Sequence, residues 1–296
     1  MSSRIKEQVY YIHDTVNKKK GYKRKLVFCS SIILAACSIL APIKLFAQST
    51  EWSYDGRTGP DHWVDLEFED CGGSNQSPVD INICEEEGNH ELPEIEFEYE
   101  HTPLLILNNG HTIEVEYEEG SKIIIEEEEF ELLQFHFHSP SEHTLKGANF
   151  PMEMHLVHRN EEGELAVIGV FIKEGKRQNK NFKNVWDFLP PVAGQEREVN
   201  MVINVDEMLP EERGYFAYKG SLTTPPCSEG VEWMLLKEPV SLSRRQIRKF
   251  KIALRLSCCE QNNRPTQPLN GREIEATGEE SEEGHEGEEG NEGTEE

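Results

Sequence analysis

Three histidines in two apolar segments have the spacing of a metal site. His136 and His138 lie one residue apart in "LLQFHFHSP" (132–140), and His155 lies in "PMEMHLVHRN" (151–160). Side chains along a strand alternate between its two faces, so the first two histidines share a face, and an antiparallel neighbour would bring His155 beside them. Three imidazoles with one position left for water or substrate are typical of a catalytic zinc site, whereas a structural zinc site is closed by four protein ligands.

The opposite faces of these two segments are apolar. Alternation predicts that Leu133, Phe135 and Phe137 point away from the histidines of the first segment. In the second segment the corresponding face carries Met152, Met154, Leu156 and His158. Both segments are therefore predicted to be strands with one face in the core and the other at the site.

Two polar residues are placed to orient the candidate ligands. Gln134 and Glu153 each lie two residues before a histidine, on the same face as that histidine. A metal-binding imidazole usually donates its second ring N–H to an acceptor, and these side chains can accept it. Four other histidines of the domain are interpreted as ordinary core or surface residues: His90, His101, His143 and His158.

The elements that must position these residues are mainly strands. Period-two alternation and turn sequences predict strands over 94–100, 104–109, 111–118, 122–127, 130–138, 151–160 and 165–175. Short helices are predicted near 179–189 and 243–255. The sequence thus predicts a mostly β domain built around a large sheet.

A different enzyme class shares part of the histidine pattern. "HFHSPSE" has the H-x-H-x3-E spacing of cupin iron oxygenases, with Glu142 as the third ligand. The cupin pattern also needs a glycine before the first histidine, where Phe130 stands, and a glycine six residues beyond the glutamate, whereas Gly147 lies too near. This interpretation is therefore disfavoured.

Further motifs indicate a family. "TTPP" at 223–226 cannot belong to a regular strand, because two prolines remove two ladder donors. The other motifs are "NQSPVDI" (75–81), "LNNGHTIEVE" (107–116), "QFHFHSPSEHT" (134–144), "MEMHLVH" (152–158) and "NRPTQPLNGR" (263–272). In this order and spacing they resemble the α-class carbonic anhydrases of the bacterial, exported type, from Trp52 to Arg272.

The resemblance implies a function and a set of roles. It implies reversible hydration of carbon dioxide to bicarbonate and a proton by a zinc-activated hydroxide, with esterase side activity. His136, His138 and His155 would bind Zn²⁺, with Gln134, Glu153 and the main-chain carbonyl of Asn262 holding them. Thr223 would orient the nucleophile by donating its own proton to Glu142, and Thr224 would lie on the bicarbonate side. His111 would be the proton shuttle, served by a water network at Tyr54 and Asn109.

The resemblance also implies a substrate pocket, a disulfide and a fold. The apolar wall for carbon dioxide would consist of Val157, Val167, Leu222, Val231 and Trp233. Cys71 and Cys227 would form the disulfide of bacterial members, leaving Cys84, Cys258 and Cys259 unassigned. The implied fold is a single domain with a large, mainly antiparallel central sheet and short peripheral helices. Relatives of this type are often homodimers.

One residue departs from the family pattern. Glu114 stands where many relatives carry a neutral amide. An extra carboxylate there is expected to raise the pKa of the shuttle histidine and to slow release of bicarbonate.

Both ends of the chain differ from the 48–272 domain. Residues 1–47 combine a basic start with an apolar run, as in an export signal cleaved after Ala47; a lipoprotein site before Cys37 and an uncleaved anchor are the alternatives. Residues 273–296 hold twelve glutamates and no Lys or Arg, which predicts a disordered acidic tail. The expected location is the periplasm or the exterior, with membrane contact only through the N-terminal segment.

The net charge excludes one class of partner. The chain carries 56 Asp and Glu against 30 Lys and Arg, a formal charge of −26. Such a field repels nucleic acids and anionic membrane surfaces. The alternative to an enzyme is a non-catalytic binding or adhesion module on the same fold, which usually lacks a zinc histidine; here all three are present.

Overall fold

The computed structural model describes residues 51–82 and 92–278. The first elements of the described part are four short 3₁₀ helices, Gly56–Thr58, Pro60–His62, Val64–Leu66 and Glu69–Gly72. They surround the fully buried Trp63, whose indole N–H donates to the carbonyls of Ser53 (3.1 Å) and Thr58 (3.0 Å). Trp63 forms a small buried cluster with Cys71 and Cys227.

An eleven-stranded sheet forms most of the described part. Its strands are β2 (Ile95–Glu98), β3 (Thr102–Asn108), β4 (Ile113–Glu116), β5 (Lys122–Ile125), β6 (Glu128–His138), β9 (Met152–Arg159), β10 (Leu165–Gly175), β11 (Glu196–Ile203), β12 (Tyr215–Ser221), β13 (Glu229–Ser243) and β14 (Glu275–Ala276). The main order is β11-β3-β4-β6-β9-β10-β13-β12-β14, and β2 joins through β5, which pairs with β6. Only β10 and β13 pair in parallel within this sheet. The mostly β, mainly antiparallel fold is confirmed.

A second, small sheet lies beside the loop after β6. It contains β1 (Asp80–Ile81), β7 (Thr144–Leu145) and β8 (Ala148–Asn149), with β1 and β7 parallel. The Asp80 carboxylate supports it by accepting from Thr144 Oγ1 (2.6 Å) and Gly147 N (2.7 Å). The loop that carries Glu142 is fixed in this way.

The central strands are buried on both faces. On one face, apolar residues of β6, β9 and β10 join a core that includes the helices α1 (Lys183–Asp187) and α2 (Arg244–Ser257). The other face of these strands carries the histidines and a smaller apolar cluster. Strands buried on both faces are almost continuously apolar, as β10 is from Leu165 to Ile172.

The predicted alternation is correct with one exception. Phe135 and Phe137 lie in the main core, but Leu132 and not Leu133 joins them there. The β6–β9 register shifts between Leu132 and Gln134, because a bulge adds one residue at this point. Alternation beyond a bulge is displaced by one residue, so the prediction for Leu133 was wrong.

Both predicted helices are present, and the second has a defined start. Ser243 Oγ accepts from Gln246 N (3.3 Å), and Gln246 Oε1 accepts from Ser243 N (3.1 Å). This capping box satisfies free N–H groups of the first turn. Gln246 also bonds the backbone of Asn179, which ties α2 to the segment before α1.

The start of the predicted acidic tail belongs to the sheet. β14 pairs with β12, and Ile274 and Ala276 are buried. These two apolar residues alternate, which is enough to add a short edge strand, so the sheet extends past residue 272. The rest of the predicted tail, the predicted export segment and Cys84 lie outside the described residues. Within the described residues no helix has the length and apolarity needed to cross a membrane.

Candidate active site

The three histidines meet on one face of the sheet. β6 and β9 pair antiparallel with His136 opposite His155, and His138 lies two residues further along β6. Their ring centroids are 4.6 to 5.3 Å apart. One nitrogen from each ring lies within 4.8 Å of the others, so the three can bind one ion.

Each ring is held through its other nitrogen. His136 Nδ1 donates to Gln134 Oε1 (2.9 Å), and His138 Nδ1 donates to the Asn262 carbonyl (2.6 Å). His155 Nε2 donates to Glu153 Oε1 (2.7 Å). These bonds leave His136 Nε2, His138 Nε2 and His155 Nδ1 as acceptors. Gln134 and Glu153, expected from their spacing, and Asn262, implied by the resemblance, all contact the expected histidines.

The chemistry of this donor set fits a zinc ion. His138 Nε2 is buried and has no hydrogen-bond partner among the described residues, which is unfavourable for a polar atom without a ligand. Burial, reinforced by the neighbouring rings, lowers the pKa of His136 well below its usual value and that of His138 to about 3. Neutral imidazoles are the form that binds zinc.

A buried network extends behind His155. Glu153 is fully buried and accepts from the ring of His143 (2.7 Å) and from the backbone N–H groups of Glu142 and His143. Burial raises the pKa of Glu153, but His143 and His155 outweigh it, so the pKa is lowered and Glu153 is ionised. His143, interpreted from sequence as an ordinary histidine, also bonds the Tyr218 hydroxyl (2.6 Å). No signal in the sequence indicated this role, because a loop and not strand alternation positions His143.

Glu142 lies beside two of the three histidines, His138 and His155. Its Oε1 accepts from Arg264 N (2.8 Å), and its Oε2 lies 3.5 Å from His138 Nε2. Burial raises the pKa of Glu142 to about 7, and the buried Thr223 hydroxyl beside it acts in the opposite direction. Thr224 follows and accepts at its carbonyl from Cys227 N (2.8 Å).

His111 lies at the rim, where aromatic rings hold it. It stacks on Trp52 with 3.7 Å between ring centroids, and Tyr54 lies 6.5 Å away. Asn109 Oδ1 accepts from His111 N (2.9 Å). The stacking of Trp52 was not predicted, because no spacing links residues so far apart in sequence.

Glu114 does not have the expected effect on His111. Burial lowers the pKa of His111, which is the opposite direction to the one expected from a neighbouring carboxylate. Burial also raises the pKa of Glu114 to about 7, with Glu116 adding to the rise, so Glu114 is only partly ionised near neutrality. Its Oε2 accepts a hydrogen bond from Asn109 Nδ2 (3.4 Å).

The predicted apolar wall is one cluster. Val167 pairs with Val157 on one side and with Trp233 on the other, and the Trp233 ring lies 4.9 Å from that of His155. The cluster contains Val157, Val167, Val231 and Trp233, with Leu222 packed against it.

The loop that carries Thr223 and Thr224 is tethered. Cys71 and Cys227 form a disulfide across 156 residues of sequence, as predicted. Gln76 Nε2 donates to the Cys227 carbonyl (3.2 Å), and the Arg264 guanidinium donates to the Cys71 carbonyl (2.9 Å). The disulfide therefore lies in a hydrogen-bonded cluster that also includes the segment holding Glu142.

Comparison with known proteins agrees with this geometry. The family model for the eukaryotic-type carbonic anhydrases matches residues 58–278. The chain belongs to this family. A carbonic anhydrase from Nostoc sp. is 40% identical over 232 residues, covering 76% of this chain and 86% of that protein.

Solved carbonic anhydrases have the same fold. The enzyme from Thermovibrio ammonificans, solved with the inhibitor sulfanilamide, is 43% identical with a TM-score of 0.72, covering 76% of this chain and 99% of that one. A hyperthermostable carbonic anhydrase from a hydrothermal vent chimney is 48% identical with a TM-score of 0.71, covering 77% and 100%. This carbonic anhydrase is thus an enzyme of carbon dioxide hydration, and the cupin interpretation is excluded.

Proposed function

We propose that this carbonic anhydrase uses one zinc ion at His136, His138 and His155 to hydrate carbon dioxide reversibly, with His111 as the proton shuttle. The observation that carries the proposal is the set of three imidazoles, each held through one nitrogen, around the buried and unpartnered His138 Nε2. When bound, zinc acts as a Lewis acid that makes water a nucleophile near neutral pH.

Thr223 and Glu142 orient the attacking water. A carboxylate accepts the Thr223 proton, and the threonine oxygen is then left to accept a hydrogen bond from the nucleophile. This fixes the direction of its lone pair toward the substrate. The Glu142 carboxylate keeps its own position through Arg264 N.

The substrate lies against the apolar wall, and the proton leaves through the rim. Carbon dioxide carries no net charge, so the cluster around Val157 and Trp233 suits it, with Thr224 on the product side. His111 takes the proton through water ordered at Tyr54 and Asn109. Its pKa is lowered by burial, so the ring is neutral at pH 7 and releases the proton readily to buffer.

The proposal also covers the compartment of the protein, a side activity and the oligomeric state. The disulfide favours an oxidising compartment and therefore export to the periplasm or the exterior, with residues 1–47 as the signal or anchor. Small activated esters that fit the cavity are expected to be hydrolysed by the same nucleophile. The active form is proposed to be a homodimer, as in relatives of this type.

The test measures carbon dioxide hydration by stopped flow and zinc content on the same sample. We expect about one zinc per chain in the parent and a loss of at least about 100-fold in activity, together with the zinc, in His138→Ala. The matched control is His101→Ala, at an exposed histidine outside the site. Full zinc occupancy without hydration in the parent would contradict the proposal and indicate a binding module.

A further inference from the structure

Two adjacent thiols lie at the end of α2, beside the rim of the site. Cys258 is the C-cap residue directly after the helix and is exposed, whereas Cys259 is buried. Among the described residues these are the free cysteines, since Cys71 and Cys227 are joined. The proposed mechanism uses neither of them.

The pair contacts the segment that carries the shuttle. Cys258 Sγ lies 4.0 Å from the His111 carbonyl, to which Asn262 Nδ2 also donates (3.2 Å). Asn262 is the residue whose carbonyl holds the ring of His138. A change at Cys258 therefore affects the His111 backbone directly. It also affects the candidate zinc ligand His138 through residues 258–262, because Asn262 holds that ring.

The two thiols differ in reactivity. A hydrogen bond from the Cys259 thiol, helped by Ser257 Oγ at 3.8 Å from Cys258 Sγ, lowers the pKa of Cys258. The same pairing and burial raise the pKa of Cys259. Since the thiolate is the nucleophile, the exposed Cys258 attacks first and Cys259 remains a protonated partner.

The geometry points to a modification site at Cys258 and Cys259, where a small disulfide oxidises the pair to an intramolecular disulfide that displaces the His111 segment. The Cys258 thiolate attacks one sulfur of the incoming disulfide, forming a mixed disulfide and releasing one small thiolate. Cys259 sulfur then attacks Cys258 sulfur and releases the second. The two cysteines lose two electrons and two protons, and the reagent gains them as two small thiols.

The oxidised pair is expected to be strained and easily reduced. Neighbouring Cα atoms lie about 3.8 Å apart across a trans peptide, below the roughly 4.4 Å lower limit of ordinary disulfides. The strain must be taken up by residues 258–262, because Cys258 N and Cys259 N are both anchored to the Leu254 carbonyl (2.8 and 3.2 Å). The Cys258 S–H that faces the His111 carbonyl is also lost.

The experiment treats the full-length protein carrying Cys84→Ser with 2-hydroxyethyl disulfide. This reagent is uncharged, so the charge of −26 does not repel it. Trypsin releases residues 256–272, which contain Cys258, Cys259 and no other cysteine. We expect this peptide to become lighter by two hydrogen atoms, and to regain them with a reducing agent.

Single variants test the order of attack. In Cys259→Ser the peptide should gain one mercaptoethanol group at Cys258, and in Cys258→Ser it should stay unmodified over the same time. A peptide that keeps its mass in the parent, or equal modification of both variants, would overturn the site. These masses do not depend on catalysis, so the chemistry is tested even if the proposed function fails.

Hydration kinetics test the coupling to His111, which rests on the proposed function. In weak buffer the hydration rate of the oxidised protein should be about threefold to tenfold lower. A loss of this size is a part of the rate enhancement that general acid–base catalysis contributes. Added imidazole should restore the rate by carrying the proton itself. The hydration rate of Cys258→Ser/Cys259→Ser should not change on treatment with the oxidant. An unchanged rate in the fully oxidised protein would overturn the coupling.

Discussion

At the residue scale, burial decides the protonation states of the site. It lowers the pKa values of His136 and His138, so these rings stay neutral and protons do not compete with a metal ion for their nitrogens. It acts in the opposite direction on Glu153, where two histidines overcome it and the carboxylate stays ionised. The same burial thus gives neutral ligands and a charged orienting group, because their partners differ.

Sequence spacing predicted some residue contacts and not others. Gln134 and Glu153 were identified because they lie two residues before their histidines on the same strand faces. The resemblance alone pointed to Asn262, whose carbonyl is 124 residues from His138. Nothing in the sequence pattern indicated the bond from His143 to Glu153, because a loop and not strand alternation positions His143.

Glu114→Gln is expected to stabilise the metal-free protein above neutral pH. The pKa of Glu114 is raised from 4.5 to about 7, so the unfolded chain releases this proton first as the pH rises. Folding stability therefore falls between these values and stays lower above them. The variant should gain on the order of 2 kcal/mol at pH 8 and little at pH 4.5, measured by urea unfolding at both values.

Exposed Glu118→Gln serves as the control for this substitution. It removes the same charge from a neighbouring position without the burial. An equal gain for both variants at pH 8 would mean that net charge, and not the partly buried Glu114 carboxylate, is responsible.

At the element scale, periodicity predicted the strands of the large sheet from β2 to β10 and missed those that follow in sequence, β11 to β14. β6, β9 and β10 alternate or are continuously apolar, and were identified. β13 contains Pro239, which is a poor strand residue, but the register with β10 jumps from Leu236 to Val240 and places the proline in the irregularity. β11 is an edge strand with few buried residues, so its pattern is weak.

Removing the disulfide that tethers the Thr223 loop should destabilise the whole domain. Cys71→Ser/Cys227→Ser opens a loop that spans 156 residues of sequence. In the chain-entropy model a loop of this length contributes about 4 to 5 kcal/mol to the free energy of unfolding. Guanidinium unfolding should show a lower midpoint by the corresponding amount.

Cys258→Ser/Cys259→Ser is the matched control, because it also replaces two cysteines but leaves that disulfide intact. Midpoints that coincide for the two double variants would show that the tether does not stabilise the fold.

At the scale of the whole molecule, the sequence carries a large net negative charge, and the ion pairs of the fold do not neutralise it. Carboxylates outnumber basic groups by 26, and few of the ion pairs among the described residues are buried. The buried pairs involve site histidines, as at His143 and Glu153. Exposed pairs contribute little to stability, so most of the excess negative charge remains as self-repulsion.

Sodium chloride should therefore raise the melting temperature of this protein at pH 8. Salt at 0.5 M shortens the screening length to a few ångströms and weakens repulsion between carboxylates. At pH 4.8, the isoelectric point expected from the sequence, the repulsion is already balanced and the same salt should have little effect. Calorimetry in both buffers, with and without salt, measures the difference. An equal rise at the two pH values would assign the stabilisation to a general effect of salt on hydration and would contradict charge repulsion as its cause.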